Sequence, residues 1–102
     1  MRLQRFGFIV TGGRFTQCQG TDNLRIVVVG VETKEDAIQV AQEMVQEGVQ
    51  LIELCGGFGP VWAGKIIEAI GGVVPVGAVM YGLESVGQMS SFAIPKQVRA
   101  RN

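Results

Sequence analysis

Short apolar runs alternate with helical stripes along this chain. Phe6 to Val10 (FGFIV) predicts a first strand. Leu24 to Val29 (LRIVVV) predicts a second, apolar on both faces as in a buried parallel sheet. Between them, Thr11 to Asn23 (TGGRFTQCQGTDN) is glycine-rich and polar and predicts a long loop. Thr33, followed three positions later by Asp36 and with Glu35 alongside, marks a helix start of capping-box type. Ala37, Ile38, Ala41, Met44, Val45 and Gly48 then recur at steps of three and four, which lays one apolar stripe down the helix. Gln39, Gln42, Glu43, Gln46 and Glu47 take the opposite side, and Gly48 stops the helix.

Val49 to Cys55 (VQLIELC) predicts the next strand. Pro60 suits the first turn of a second helix, where its missing N–H costs nothing, and Trp62, Ala63, Ile66, Ile67 and Ile70 form its stripe. Gly71 and Gly72 end it, and Val73 to Tyr81 (VVPVGAVMY) predicts a fourth strand with Pro75 at its beginning or on an edge. Beyond lie an amphipathic patch at Ser91 to Ile94, Pro95, and a basic end with Lys96, Arg99 and Arg101.

Gly30, Gly56 and Gly82 each close a strand, 26 residues apart both times, and each interval holds one helix and one strand. That rhythm is the βαβ unit, whose crossover is right-handed almost without exception. The expected fold is α/β: a small, mostly parallel four-stranded sheet in the order β-β-α-β-α-β, with two main helices and a short C-terminal extension. Residues 1–82 are expected to form a single domain, and residues 83–102 to pack on it or on a neighbouring subunit. Two helices linking neighbouring parallel strands can both lie on one face, which leaves the other bare. The C-terminal tail or another subunit would cover it, and a homodimer or higher homo-oligomer is expected. The alternative is a doubly wound monomer with one helix on each face.

Composition sharpens the picture. The chain is 47% hydrophobic and 18% charged, against a usual charged share of about 25%, so apolar surface is expected to be covered from outside the monomer. Nine basic and nine acidic residues cancel, which removes the electrostatic footprint of nucleic-acid binding. Cys18 and Cys55 are too few for a disulfide scaffold. The N-terminus imitates a signal peptide, but its apolar run, Phe6 to Val10, is shorter than the about 7 to 15 residues required. No stretch approaches the roughly 20 apolar residues of a membrane span. A cytoplasmic protein with reduced thiols is expected, with no nucleic-acid or membrane partner and no cofactor.

Parallel strands bring candidate chemistry to one edge, because ligands of open parallel sheets sit outside the carboxyl ends of the strands. Glu32 and Thr33 leave one strand, Cys55, Gly56, Gly57, Phe58 and Gly59 the next, and Tyr81, Gly82 and Glu84 the last. If the first strand is also parallel, Thr11, Gly12, Gly13 and Arg14 join them. A glycine-rich turn into a helix N-terminus offers free N–H groups and a favourable dipole to a carboxylate or phosphate. GGFGP is nonetheless neither a P-loop nor a GxGxxG fingerprint, and a bare turn needs glycines too.

Cys55 stands where a thiolate is favoured, yet the chain has no histidine, which excludes Cys-His and Ser-His pairs. A small buried hydrophobe is the other reading of this cysteine. Glu53 interrupts an apolar strand, on the face of Leu51 and Cys55 by alternation. A buried carboxylate needs a partner, and either an ion pair with Arg25 or Arg14 or a catalytic acid fits. No metal-ligand spacing is present.

The run EDAIQVAQEMVQEGVQLIELCGGFGPVWAGKIIEAIGGVVPVGAV resembles a family of small uncharacterised prokaryotic proteins, a domain of unknown function. The likeness lies in a strand near the start, a helix ending in EGV, the LIELCGxFG turn and a closing VPVG strand. It covers most of residues 6 to 80 and departs in the loop 11–23 and after Tyr81. It implies no activity. The βα rhythm is also similar to a fragment of a (β/α)₈ barrel, an analogy of fold alone. Three functions follow as expectations: binding of a small anionic metabolite or other polar ligand at the Gly-rich turn 55–60 within a homo-oligomer; an oligomeric structural or regulatory module; or a lyase or isomerase using Glu53 and Cys55.

Overall fold

A computed structural model describes residues 1–92. The chain runs β1 (Arg5–Thr11), β2 (Phe15–Gly20), β3 (Arg25–Val31), α1 (Asp36–Gln46), β4 (Leu51–Leu54), α2 (Gly59–Ala69) and β5 (Val76–Ala78). A 3₁₀ turn (Leu83–Ser85) and the one-turn helix α3 (Val86–Met89) follow. One five-stranded sheet has the order β2-β3-β1-β4-β5. β1 pairs in parallel with β3 on one side and β4 on the other, and β5 pairs in parallel with β4.

The sheet is therefore mixed α/β and largely parallel, but it has five strands rather than the expected four. The difference is β2, which lies in the segment expected to be a loop and pairs antiparallel with β3. Every residue of β2 is exposed. A strand on the sheet's rim buries neither face, so polar residues such as Gln17 and Gln19 suffice and no apolar alternation marks it. Thr21 closes the turn that follows, its hydroxyl accepting from the N–H groups of Asn23 and Leu24 at 3.2 Å each. β5 is shorter than the run 73–81 suggests, and Pro75 stands just before it on an edge strand, as its missing donor requires.

The first strand is central, not peripheral. Register places Ile9 beside Val29 and Leu54, and Gly7 beside Val27 and Ile52. In parallel pairing, residues side by side share a face. That face holds Ile9, Val31, Ile52 and Leu54, which form the buried core with Ala37, Ala41 and Met44 of α1 and Ile66 of α2. The apolar stripes read from both helices thus meet one face of the sheet, apart from Ile67 of α2, which is exposed, and the two helices also contact each other. At the start of α1, Thr33 Oγ1 accepts from the Asp36 N–H at 3.3 Å. On α2, the Lys65 ammonium lies 4.3 Å from the centre of the Trp62 ring, a cation–π contact on the outer side.

The opposite face of the sheet presents the other parity: Phe6, Phe8 and Val10 of β1, Ile26 and Val28 of β3, and Leu51 and Glu53 of β4. All are half-buried. No helix among the described residues has its buried stripe on this face.

Candidate functional site

β1, β3, β4 and β5 all point the same way, so their carboxyl ends share one rim. β3 ends at Val31, one residue past Gly30, and β4 ends at Leu54, two before Gly56. β5 ends at Ala78, so Gly82 lies beyond its strand rather than closing it. From β1 the chain turns towards the β2 edge, whereas from β4 it passes through α2 towards the β5 edge. Adjacent parallel strands whose exits diverge open a crevice between them, and this is where ligands bind in open α/β sheets. By that rule the crevice is expected between β1 and β4.

Two side chains meet at its mouth. The Thr11 N–H donates to Cys55 Sγ at 3.4 Å, and Thr11 Oγ1 lies 3.5 Å from the same sulfur. Cys55 itself is tied to β1, its N–H donating to Ile9 O at 3.1 Å. Burial is the strongest influence on the thiol and pushes its pKa up. Hydrogen bonding, led by the Thr11 N–H and then its hydroxyl, outweighs it, so the net shift is downward. The sulfur is thus a part-exposed group held against Thr11.

The turn over the sulfur needs glycine at a definite place. A Cβ on Gly57 would stand 2.7 Å from Thr11 Oγ1. Gly59 adopts φ +73, a left-handed conformation that side chains resist. The Phe58 N–H donates to Cys55 O at 3.1 Å, closing the turn. The turn is therefore not a bare cradle of free amides. Its nearest donors, on Thr11 and Gly57, already face the chain's own sulfur.

The other sequence candidates fall in different places. Phe58 is 2% exposed and packs in the core, so only its backbone belongs to the rim. Tyr81 is exposed, with its ring beside Gly56: a Cβ there would lie 3.3 Å from it. Glu32 and Thr33 are exposed at the end of β3, and the Thr33 hydroxyl is already engaged in capping α1. Arg14 follows β1, and Glu84 lies in the 3₁₀ turn.

Glu53 sits beside Phe8 and Gly77 on the face away from the helices. Arg25 is not on a neighbouring strand, since β1 intervenes, and it aligns with Arg5 at the far end of the strands. Among the described residues no hydrogen bond joins Glu53 to Cys55, so the pair is not assembled for acid–base work. Among the described residues no group of three or more Cys, Asp or Glu could hold a metal ion, and no helix is long and apolar enough to cross a membrane. Both cysteines are free thiols.

One feature escaped the sequence reading. A groove of about 540 Å³ runs between α1 and the β2–β3 edge, lined by Arg14, Thr16, Val29, Asp36, Gln39 and Glu43. Asp36, Gln39 and Glu43 follow helical spacing, a pattern that reads equally as a solvated face. It is wide open, and Gln39 spends its amide on Glu43 at 3.3 Å. Nothing in it converges as Thr11 does on Cys55, so the β1–β4 exits are the better site.

Residues 4–93 match a family described as a family of unknown function, DUF6506, and the chain belongs to that family. No curated protein and no solved structure matches the chain.

Proposed function

We propose that this member of the family binds a small polar or anionic metabolite in the crevice between β1 and β4. Cys55 forms its floor, Gly56 to Gly59 one wall, and Thr11 to Gly13 the other. The observation that supports the reading is the divergence of adjacent parallel strands at a rim where Thr11 of one meets the part-exposed sulfur of Cys55 after the other. The ligand's polar groups meet the space above the sulfur, with Tyr81 beside it. A neutral thiol admits an anion there, whereas a thiolate repels it.

The test is a thermal-shift screen of small carboxylates and phosphates, read together with the rate of Cys55 alkylation in a Cys18→Ser background. A true ligand raises Tm and slows alkylation at once. A panel in which no compound does either removes the proposal.

A second reading has its own support. The far face of the sheet is apolar, carries no helix among the described residues, and belongs to a chain of zero net charge. It is the surface of a homo-oligomer, and the ligand site is compatible with it. Sedimentation velocity on the full chain tests this second reading: a monomer at micromolar concentration contradicts it.

A further inference from the structure

We propose that the segment Met80–Phe92 of a second copy covers the far face of the sheet, reciprocally, in a two-fold dimer. The inference rests on the oligomer reading above and adds the two surfaces that meet. The first surface is the patch of Phe6, Phe8, Val10, Ile26, Val28 and Leu51, contributed by three adjacent strands. The partly buried apolar residues that pack on the core include Val27, Val29 and Val76, and none of these six.

The second surface is the segment after β5. Met80 is 77%, Leu83 90% and Phe92 68% exposed, and Val86 is exposed with them. The 3₁₀ turn and α3 pack chiefly on each other. So many large apolar side chains within thirteen residues are costly in water, because nothing among the described residues removes their surface from it.

One chain thus holds two apolar surfaces, one on three adjacent strands, the other in a single short segment. Each lacks a partner among the described residues. A second copy satisfies both at once, and a two-fold axis closes the pair without leaving a free surface to propagate. Charge agrees. Glu53 is the single charged residue that register places within the far-face patch. The sequence beyond Phe92 adds Lys96, Arg99 and Arg101 and no acid. The basic continuation of one copy therefore complements the carboxylate of the other.

The experiment is sedimentation velocity over a concentration series on three full-length chains: wild type, Leu83→Asp/Phe92→Asp, and Glu53→Lys. Leu83 and Phe92 are exposed, so their substitution leaves the monomer folded, which circular dichroism verifies. Wild type is expected to be a dimer. The double variant should weaken it about 30-fold or more, the effect of losing central apolar anchors. An equimolar mixture of the double variant with Glu53→Lys should dimerise better than either alone, because one intact segment then meets one intact face. A wild-type monomer overturns both this inference and the oligomer reading. A dimer indifferent to Leu83→Asp/Phe92→Asp overturns the inference alone, as does a mixture that shows no recovery.

Discussion

Thr11 and Cys55 are 44 residues apart in sequence, yet the backbone N–H of one donates to the sulfur of the other at 3.4 Å. The contact exists because β1 lies between β3 and β4, so that the ends of the first and fourth strands are neighbours. It ties the sheet's topology to the chemistry of its only half-buried thiol.

Removing the hydroxyl should make this plain. Thr11→Val keeps the N–H bond to Sγ and loses the Oγ1 contact. The pKa of Cys55 should rise part of the way back, and alkylation at neutral pH should slow. A single weak hydrogen bond to sulfur contributes about 0.5 to 1 kcal/mol, so urea unfolding should move by no more than that.

Two glycines of the turn should behave differently. Gly57→Ala thrusts a methyl group at Thr11 Oγ1, 2.7 Å from the new Cβ. It should raise the thiol's pKa as Thr11→Val does. Gly59→Ala meets open space but must hold φ +73, a left-handed strain of about 1 to 2 kcal/mol. It should lower stability and leave the thiol's titration unchanged. Alkylation profiles alongside urea midpoints separate the two cases.

The downward shift of Cys55 also fixes a pH dependence. A thiol that ionises more easily folded than unfolded contributes stability that is complete above its unfolded pKa, about 8.5. That contribution fades as pH falls through the lower, folded pKa. Relative to Cys55→Ser, the native chain should gain stability on going from neutral to alkaline pH. An anionic ligand should do the reverse, binding less well as the thiolate forms beneath it. Denaturation curves and ligand titrations at matched pH check both signs.

At the other side of the rim, Thr33→Ala removes an acceptor for the Asp36 N–H. The loss of one exposed hydrogen bond in the turn before α1 costs about 0.5 to 1 kcal/mol. Because Thr33 is spent on α1, the substitution should leave Cys55 alkylation untouched. A changed thiol rate would instead show that the two exits are coupled.

Much of this was legible in the chain. The stripe Ala37, Ala41, Met44 and the run Val49 to Cys55 follow the periods of a helix and a buried strand; both elements lie within them, the strand shortened to Leu51–Leu54. The far-face position of Glu53 follows from simple alternation. β2 was not legible, because FTQCQG satisfies its backbone on one side only and buries nothing. Nor was the central place of β1. Insertion of a strand between two later ones is a long-range choice, and no local period encodes it. The meeting of Thr11 with Cys55 depends on that choice, so the turn drew attention while its partner remained conditional.

The most direct measurement is the titration of Cys55 by the chemical shift of its labelled Cβ in Cys18→Ser, first native and then unfolded in urea. A lower midpoint in the folded chain, moved upward by Thr11→Val, is the predicted result. A folded midpoint equal to or above the unfolded one would contradict the account.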